Sequence, residues 1–493
     1  MEIDYKKLGF KSGLEIHQQL DSHKLFCDCP SLLRKDNPDF EIKRKLHVVA
    51  GEKGEIDVAA KHEAEQKKEF IYQGYDTTCL VELDEEPPHK INPEALEIAL
   101  HIAFLFNSNI IPVSQIMRKT VIDGSNTSGF QRTVMIAYGG YVETSQGRVR
   151  IDSIFLEEDS ARVISKEKNK IIFRLDRLGI PLVEIATKPD IKNAEHAKET
   201  ALKIGEVLRS CRVKRGIGTI RQDINISIRP QQVQLNSSKR GQIKESSRVE
   251  LKGFQDPKIM VKTVENEVKR QLNYLKEGKK NNPEVRNVLA DGSSEFLRPM
   301  PGSARMYPET DLPLLKISKK IIDNSKKNLP KLKSELEKEF KKQGLNEEYI
   351  RMLFKKNKVE IYKQAYFNLP KPNLIADLLL IFPKILAKKK KIEIEKISEM
   401  VEEDILGVIN LVNNNKIKEK EIKQVLENLI DGKSLEEAIK IERVDVGDVE
   451  EKIHNLIKSK PGLSANAYMG LIMKEFKGID GKEVMGIIRK FLK

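Results

Sequence analysis

The chain has 493 residues, 39% of them apolar and 33% charged, and a formal net charge of +14. That length exceeds the roughly 250–300 residues one hydrophobic core can serve, so two or three domains are expected, and the apolar content excludes wholesale disorder. The longest apolar stretch, residues 374–382, is interrupted by Asp377 and ends at Pro383, far short of the ~20 residues of a membrane span; with no apolar core in the N-terminal MEIDYKKLGFKSG, a cytoplasmic protein without membrane attachment is expected.

Residues 1–318 read as mixed strand and helix. Alternating apolar and polar positions mark strands at GLEIHQQL (13–20), GIPLVEIAT (179–187), TIRQDINISI (219–228) and RVELKGF (248–254). Helical spacing covers 92–106, with Asn92 as N-cap and Pro93 at the first helical position, and 194–210. Strands outnumber crossover helices, which predicts an α+β fold with a mixed, largely antiparallel sheet. From about Lys319 helical periodicity takes over: an all-helical domain to 431, then a small helical tail over 432–493. The turn Asp431-Gly432 and the capping-box pair Ser434 and Glu437 open that tail, and Gly478 to Gly481 precede a last basic helix. Residues 319–493 carry 37 Lys+Arg against 28 Asp+Glu. Such an excess suits a polyanion partner, although lysine-rich helices are also often just solvated.

Four cysteines in this length make no disulfide framework. Cys27 and Cys29 form a C-x-C pair, whereas Cys79 and Cys211 stand alone; zinc and two loop thiols both remain open readings for the pair. No G-x4-G-K-[ST] or G-x-G-x-x-G phosphate cradle occurs, so any nucleotide must be held on another scaffold.

Carboxylates on the polar faces of strands are the more informative feature. Residues two apart in a strand share a face, which pairs Glu15 with His17 and aligns Arg221, Asp223 and Asn225 opposite the isoleucines 220, 224, 226 and 228. Arg248, Glu250 and Lys252 alternate with Val249 and Leu251. Glu184 is the single acid in the apolar run IPLVEIA, where an unpaired charge costs several kcal/mol, of order 3 or more. Glu157, Glu158 and Asp159 follow Ile154-Phe155-Leu156 and repel one another unless a cation is near. One face carrying Glu15, His17, Glu157 or Glu158, Glu184 and Asp223 would suit magnesium, with basic side chains for phosphates. The plainer alternative, the solvated side of a half-buried sheet, explains Arg221 to Arg229 but not Glu184.

These same strings resemble the B/E family of tRNA-dependent amidotransferase subunits, and within it the archaeal E branch. KLFCDCP (24–30), DTTCLVELDEEPPHKINPEAL (76–96), KTVIDGSNTSGFQRT (119–133), FLEEDSARV (155–163), DRLGIPLVEIATKPDI (176–191) and ARMYPETDLPLL (304–315) extend the likeness over nearly all of the first domain, and 463–493 is similar to the family's helical tail. The resemblance implies a catalytic cradle domain (1–318), a helical domain (319–431) and a tRNA-binding tail (432–493). It implies ATP- and Mg2+-dependent amidation of glutamyl-tRNA(Gln) through a phosphorylated γ-carboxylate. The ammonia would come from an asparaginase-like D subunit, in a heterotetramer of two D and two E subunits. Glu15, His17, Glu157, Glu158, Glu184 and Asp223 fall on the family's metal motifs; Glu15, His17, Glu157, Glu184 and Asp223 double as the catalytic set, and Arg221 and Lys252 become phosphate or carboxylate partners. Tyr307, Glu309 and Asp311 match the family string without an assignable role.

The archaeal branch usually inserts a domain resembling part of bacterial aspartyl-tRNA synthetase where this chain has only residues 273–297, a Lys-, Asn- and Gly-rich stretch that reads as a loop. That gap favours a bacterial B-type subunit, whereas the DTTCLVELDEEPP and DGSNTSGFQRT strings favour the E branch. A non-catalytic tRNA-binding adaptor and a metal-dependent phosphoesterase are the readings from other classes. Metal stoichiometry, and aspartyl-tRNA(Asn) as a second substrate, stay open.

Overall fold

The structure is a computed structural model, and it describes residues 3–45, 61, 68–230, 245–254, 257–302, 305–440, 446–475 and 481–492. The chain forms two compact units, Met1–Glu335 and Leu336–Lys493. The first is built on a large sheet. Across it the strands run Ser294–Pro299, Glu284–Val288, Val249–Phe254, Ile220–Ser227, Lys11–Gln19, Pro181–Thr187, Gly147–Glu158, Phe130–Tyr138, Met117–Thr120 and Met306–Pro308. Neighbours pair antiparallel apart from Val249–Phe254 with Glu284–Val288. The fold is therefore α+β with a mixed, mainly antiparallel sheet, as the strand-rich sequence predicts.

Strict alternation divides this sheet into two chemically different faces. Leu14, Ile16, Val134, Ile136, Ile154, Leu156, Val183, Ile185, Ile224 and Ile226 are all at most 1% exposed and form one apolar layer. Helices Pro93–Leu105, Ala194–Ser210 and Pro257–Lys276 cover that layer with Leu96, Leu100, Ile204, Leu208, Val264 and Val268. Burying one such Leu or Ile stabilises by about 1.5–3 kcal/mol. The polar residues of the same strands are thereby forced together on the other face. Asn92 caps the first helix as predicted, its side chain accepting from the Glu94 and Ala95 amides, a contact worth about 1 kcal/mol.

A smaller sheet, ordered Arg162–Lys166, Lys170–Arg174, Glu69–Gly74 and Phe40–Arg44, holds its own apolar cluster around Phe70, Tyr72 and Phe173. Residues 273–297 are not the expected loop. The helix continues to Lys276, and Glu284–Val288 with Ser294–Pro299 form a hairpin on the sheet edge. Asp291-Gly292 supplies its turn, with Gly292 at φ +83, a conformation glycine adopts without strain.

In the second unit, helices between Lys333 and Ala438 close around a core that includes Phe340, Leu353, Tyr362, Leu379, Ile405 and Leu426. Ser434 and Glu437 form the predicted capping box at the start of a single helical turn, Leu435–Ala438. Val449, Ile453, Tyr468, Ile472, Val484 and Ile488 make a separate small core among helices Val446–Ser459, Ala465–Glu475 and Gly481–Phe491. The expected break at Gly478 to Gly481 lies, up to residue 480, outside the described residues. No described helix is long and apolar enough to cross a membrane.

Candidate active site

Strand register assembles the polar face from segments distant in sequence. On the central strand Lys11–Gln19, Glu15 stands opposite Asp223 on one side and Ala186 on the other; His17 stands opposite Arg221 and Glu184. One strand further, Glu157 faces Leu182, and beyond it Lys119 reaches in from Met117–Thr120. His17 Nε2 lies 3.3 Å from Glu184 Oε2, 3.6 Å from Glu15 Oε1 and 3.7 Å from Glu157 Oε1. Two groups of three, Glu15–His17–Asp223 and His17–Glu157–Glu184, each place one ligand atom per residue within 4.8 Å of the others. Oxygen-rich sets of this kind with a single imidazole suit a hard divalent cation that keeps waters for substrate phosphates.

Two lysines already lean on these carboxylates. Lys119 Nζ donates to Glu157 at 2.8 Å and Glu184 at 3.2 Å; Lys252 Nζ donates to Asp223 at 2.9 Å and Glu250 at 3.3 Å. The Gly253 amide also donates to Asp223, at 2.9 Å. Burial would raise the Glu184 carboxyl, yet Lys119 and His17 hold it well below the usual range. Asp223 is likewise held low by Lys252 and His17 against its burial. Glu15 has no lysine of its own: burial, then the Glu184 and Glu250 charges, push it up to about 7. Burial would lower His17, but the hydrogen bond and charge of Glu184, with Glu15 and Glu157, raise it.

Arg221 sits at the edge of this cluster, and a buried carboxylate fixes it. Asp159, 1% exposed, accepts from Arg221 Nη2 at 3.0 Å, Gln19 Nε2 at 2.6 Å and the Ser160 amide at 2.9 Å, with Arg177 Nε 3.8 Å away. Burial opposes its ionisation, but Arg221 and Arg177 keep Asp159 below the normal carboxylate range.

The structure brings together Glu15, His17, Glu157, Glu184, Asp223, Arg221 and Lys252. It does not bring Glu158 to them. Next to Glu157 on its strand, Glu158 turns to the other face, where Arg132 donates to it at 3.3 Å. Arg132 also reaches Glu309 at 2.7 Å, and Arg118 joins Glu309 to Asp311, so two residues of MYPETDLP anchor this ion-pair network. Glu184 is not the unpaired charge its apolar run suggests. Its partner Lys119 lies in a short strand 65 residues away, and no local pattern links the two. Asp159 was visible only as the third of three adjacent acids.

Cys79 does not stand alone. Cys27, Cys29, Cys79 and Glu82 offer four donor atoms within 4.8 Å of one another, the number and mix a tetrahedral zinc accepts. Cys27 Sγ contacts Glu82 at 3.3 Å, and the carboxylate is held by Lys24 at 2.5 Å and by the Cys79 amide at 2.6 Å. Hydrogen bonds from Cys27 and Cys29 lower the Cys79 thiol from its ordinary value. Cys211 is buried elsewhere, in the core beneath the large sheet.

Fold and site define an α+β protein whose sheet gathers carboxylates, one histidine and tethered cations on a single face. The GatB/GatE catalytic domain model matches residues 10–323. The chain is 37% identical to the E subunit of glutamyl-tRNA(Gln) amidotransferase from Methanocaldococcus jannaschii, with all of both chains covered. It is 33% identical to the protein of that name from Methanosarcina barkeri (100% and 99% covered) and 32% to that from Archaeoglobus fulgidus (100% and 99%). The chain belongs to the GatB/GatE catalytic domain family. The Methanocaldococcus alignment spans 648 positions against 493 residues here, so that relative carries sequence this chain lacks.

Proposed function

We propose that this chain is the amidating component of a cytoplasmic glutamyl-tRNA(Gln) amidotransferase, of the kind its E-type relatives are named for. The observation that carries the reading is the pair of triads sharing His17, flanked by Arg221 and Lys252, on one face of the large sheet. Residues 1–318 serve as the catalytic cradle, 319–431 as a helical domain whose core also takes in the turn Leu435–Ala438, and the rest of 432–493 as a tRNA-contacting tail. Full-length similarity to named E subunits outweighs the missing insertion, which had favoured a B-type subunit.

In this reading a γ-carboxylate oxygen of tRNA-bound glutamate attacks the γ-phosphorus of ATP and ADP leaves. Ammonia then attacks the acyl carbon, phosphate departs, and the nitrogen loses a proton. Magnesium, when bound by His17 and carboxylates drawn from Glu15, Asp223, Glu157 and Glu184, neutralises charge on the transferring phosphoryl group. Arg221, held by Asp159, orients phosphate oxygens with its planar fork, and Lys252 adds a point charge beside Asp223. The sheet holds these groups rigidly, which supplies positioning before reaction rather than during it. Ammonia is delivered by an asparaginase-like D partner, two of each subunit forming the assembly.

Thin-layer analysis of aminoacyl-tRNA tests the reading: glutamyl-tRNA(Gln) incubated with the protein, ATP, Mg2+ and ammonium yields glutaminyl-tRNA(Gln), and Glu15→Gln abolishes it. Binding of tRNA without amidation would mean an adaptor, and phosphodiester cleavage without ATP a phosphoesterase.

A further inference from the structure

Between helix Ala194–Ser210 and strand Ile220–Ser227 the chain makes a turn with two fixed feet and a bare tip. Gln18 Nε2 donates to the Lys214 carbonyl at 2.9 Å and to the Thr219 carbonyl at 3.1 Å, and the Gln19 amide donates to the Thr219 carbonyl at 2.9 Å. The Lys214 amide in turn donates to the Gln19 carbonyl at 3.0 Å. Both feet therefore stand on the strand that carries Glu15 and His17. At the tip Gly216 and Gly218 hold φ +124 and +85, and no atom lies within 4 Å of where their Cβ atoms would stand. Ile217 between them is 96% exposed, the most exposed of the large apolar side chains described.

Single exposed apolar residues are common and by themselves mean little. Position and company set Ile217 apart. Residues 209–221 contain Arg209, Arg212, Lys214, Arg215 and Arg221 and no acid. Arg212 pairs with Glu94, Lys214 with Asp21 and Arg221 with Asp159. Among the described residues neither Arg209 nor Arg215 makes an ion pair; Arg215 Nη2 donates to the Arg209 carbonyl at 3.4 Å. The chain from Ile217 to Arg221 spans at most about 14 Å, and Arg221 is the strand neighbour of His17. A free apolar side chain beside two guanidinium groups without counter-charges suits both parts of a nucleotide, the base face and the phosphate.

Resting on the reading of this chain as acting on glutamyl-tRNA(Gln), we propose that Ile217 lies against a base of the tRNA's unpaired 3′ end while Arg209 and Arg215 take the adjoining phosphates. The amino acid is esterified to the terminal nucleotide. A grip on the nucleotides beside it therefore brings the γ-carboxylate to the face that holds His17 and Arg221. The hydrogen-bonded feet fix how far the grip stands from that face, and the two glycines let the tip follow the base it meets.

Fluorescence titration on the full chain is the test, with tRNA(Gln) carrying 2-aminopurine at its 3′-terminal position. Ile217→Ser weakens binding about tenfold, the size expected from burying most of one isoleucine side chain, and removes the fluorescence rise that unstacking of the probe gives. Ile217→Leu keeps both, and at 96% exposure neither change disturbs the fold. Arg215→Gln lowers the log–log salt slope by roughly 0.7, one single-strand phosphate contact, whereas Ile217→Ser leaves the slope unchanged. On tRNA trimmed of its unpaired 3′ nucleotides, wild type and Ile217→Ser bind alike. A loss that persists on trimmed tRNA, or an Ile217→Ser chain that binds and fluoresces as the wild type does, overturns the proposal. So does an Ile217→Ser chain that keeps its RNA affinity but no longer associates with a protein partner, since the loop would then dock protein. Amidation is scored separately on the wild type. A chain that grips the 3′ end in this way but does not amidate retires the proposed function and leaves the contact standing, and a wild type that does not bind tRNA(Gln) overturns both.

Discussion

Asp159→Asn probes the part of the site that no motif announced. The substitution keeps size and shape but removes the charge facing Arg221 at 3.0 Å and Arg177 at 3.8 Å. Removing one partner of a buried charge pair costs about 3–5 kcal/mol, because the other charge stays buried without compensation. Two features moderate this. The asparagine oxygen can still accept from the Ser160 amide, and Arg177 keeps donors on the Ser160 and Ala161 carbonyls at 2.7 and 2.8 Å. The expected stability loss is therefore toward the lower figure, about 3 kcal/mol, read in thermal and urea melts. The functional loss is separate. Arg221 has no other hydrogen bond holding it toward the cluster in the described network, so KM for ATP rises about tenfold or more while tRNA affinity is unchanged. Arg221→Ala should raise KM similarly, and the double substitution should do no further harm, since both act through one guanidinium. Additive KM effects, or a melt that falls with KM untouched, would refute the reasoning that Asp159 positions Arg221.

Other expectations follow from the same geometry. Protein grown with zinc should hold about one zinc per chain, and Cys79→Ser should empty the site, as elemental analysis can show; a zinc-free wild type would leave Cys27, Cys29, Cys79 and Glu82 as a thiol cluster only. In EDTA, stability should fall as pH rises from about 5 to 8. Glu15 titrates near 7 in the fold against roughly 4.3 unfolded, so the native state holds a proton that the unfolded chain releases; this stabilisation is complete below the lower value and gone above the higher. His17, also raised, adds the same sign. Glu15→Gln should flatten the melting profile, and an unchanged slope would sink the assignment. Removal of the tail should weaken tRNA binding and flatten its salt dependence, by roughly 0.7–0.9 in log–log slope per lost phosphate contact, while ATP binding persists. The cut belongs after Lys440: Ile430 and Ala438 are buried in the helical core, and an earlier break would damage it. Equal salt slopes with and without residues 441–493 would show that Lys474, Lys482, Arg489 and Lys490 only solvate their helices.

The sequence by itself determined everything carried by short-range periodicity. Alternation in GLEIHQQL and TIRQDINISI set which residues share a face, and so paired Glu15 with His17 and Arg221 with Asp223 before any strand was placed. Asn92-Pro93 and Ser434 to Glu437 marked helix starts, because caps act on amides two or three residues away. Long idiosyncratic strings placed the chain in its family. Parity alone could also have excluded Glu158, since adjacent strand residues face opposite ways. What only the tertiary structure decided depends on which strands become neighbours. That choice set His17 between Glu184 and Arg221, carried Lys119 to Glu184 and Glu157, and brought Cys79 to Cys27 and Cys29. It also placed an edge hairpin, Glu284–Val288 with Ser294–Pro299, where residues 273–297 read as a loop, because its mostly polar strands have one partner sheet and little to bury. Pairing of this kind is fixed by the burial of the opposite, apolar face against three helices, and the charges of the site come together because that burial leaves them no other place.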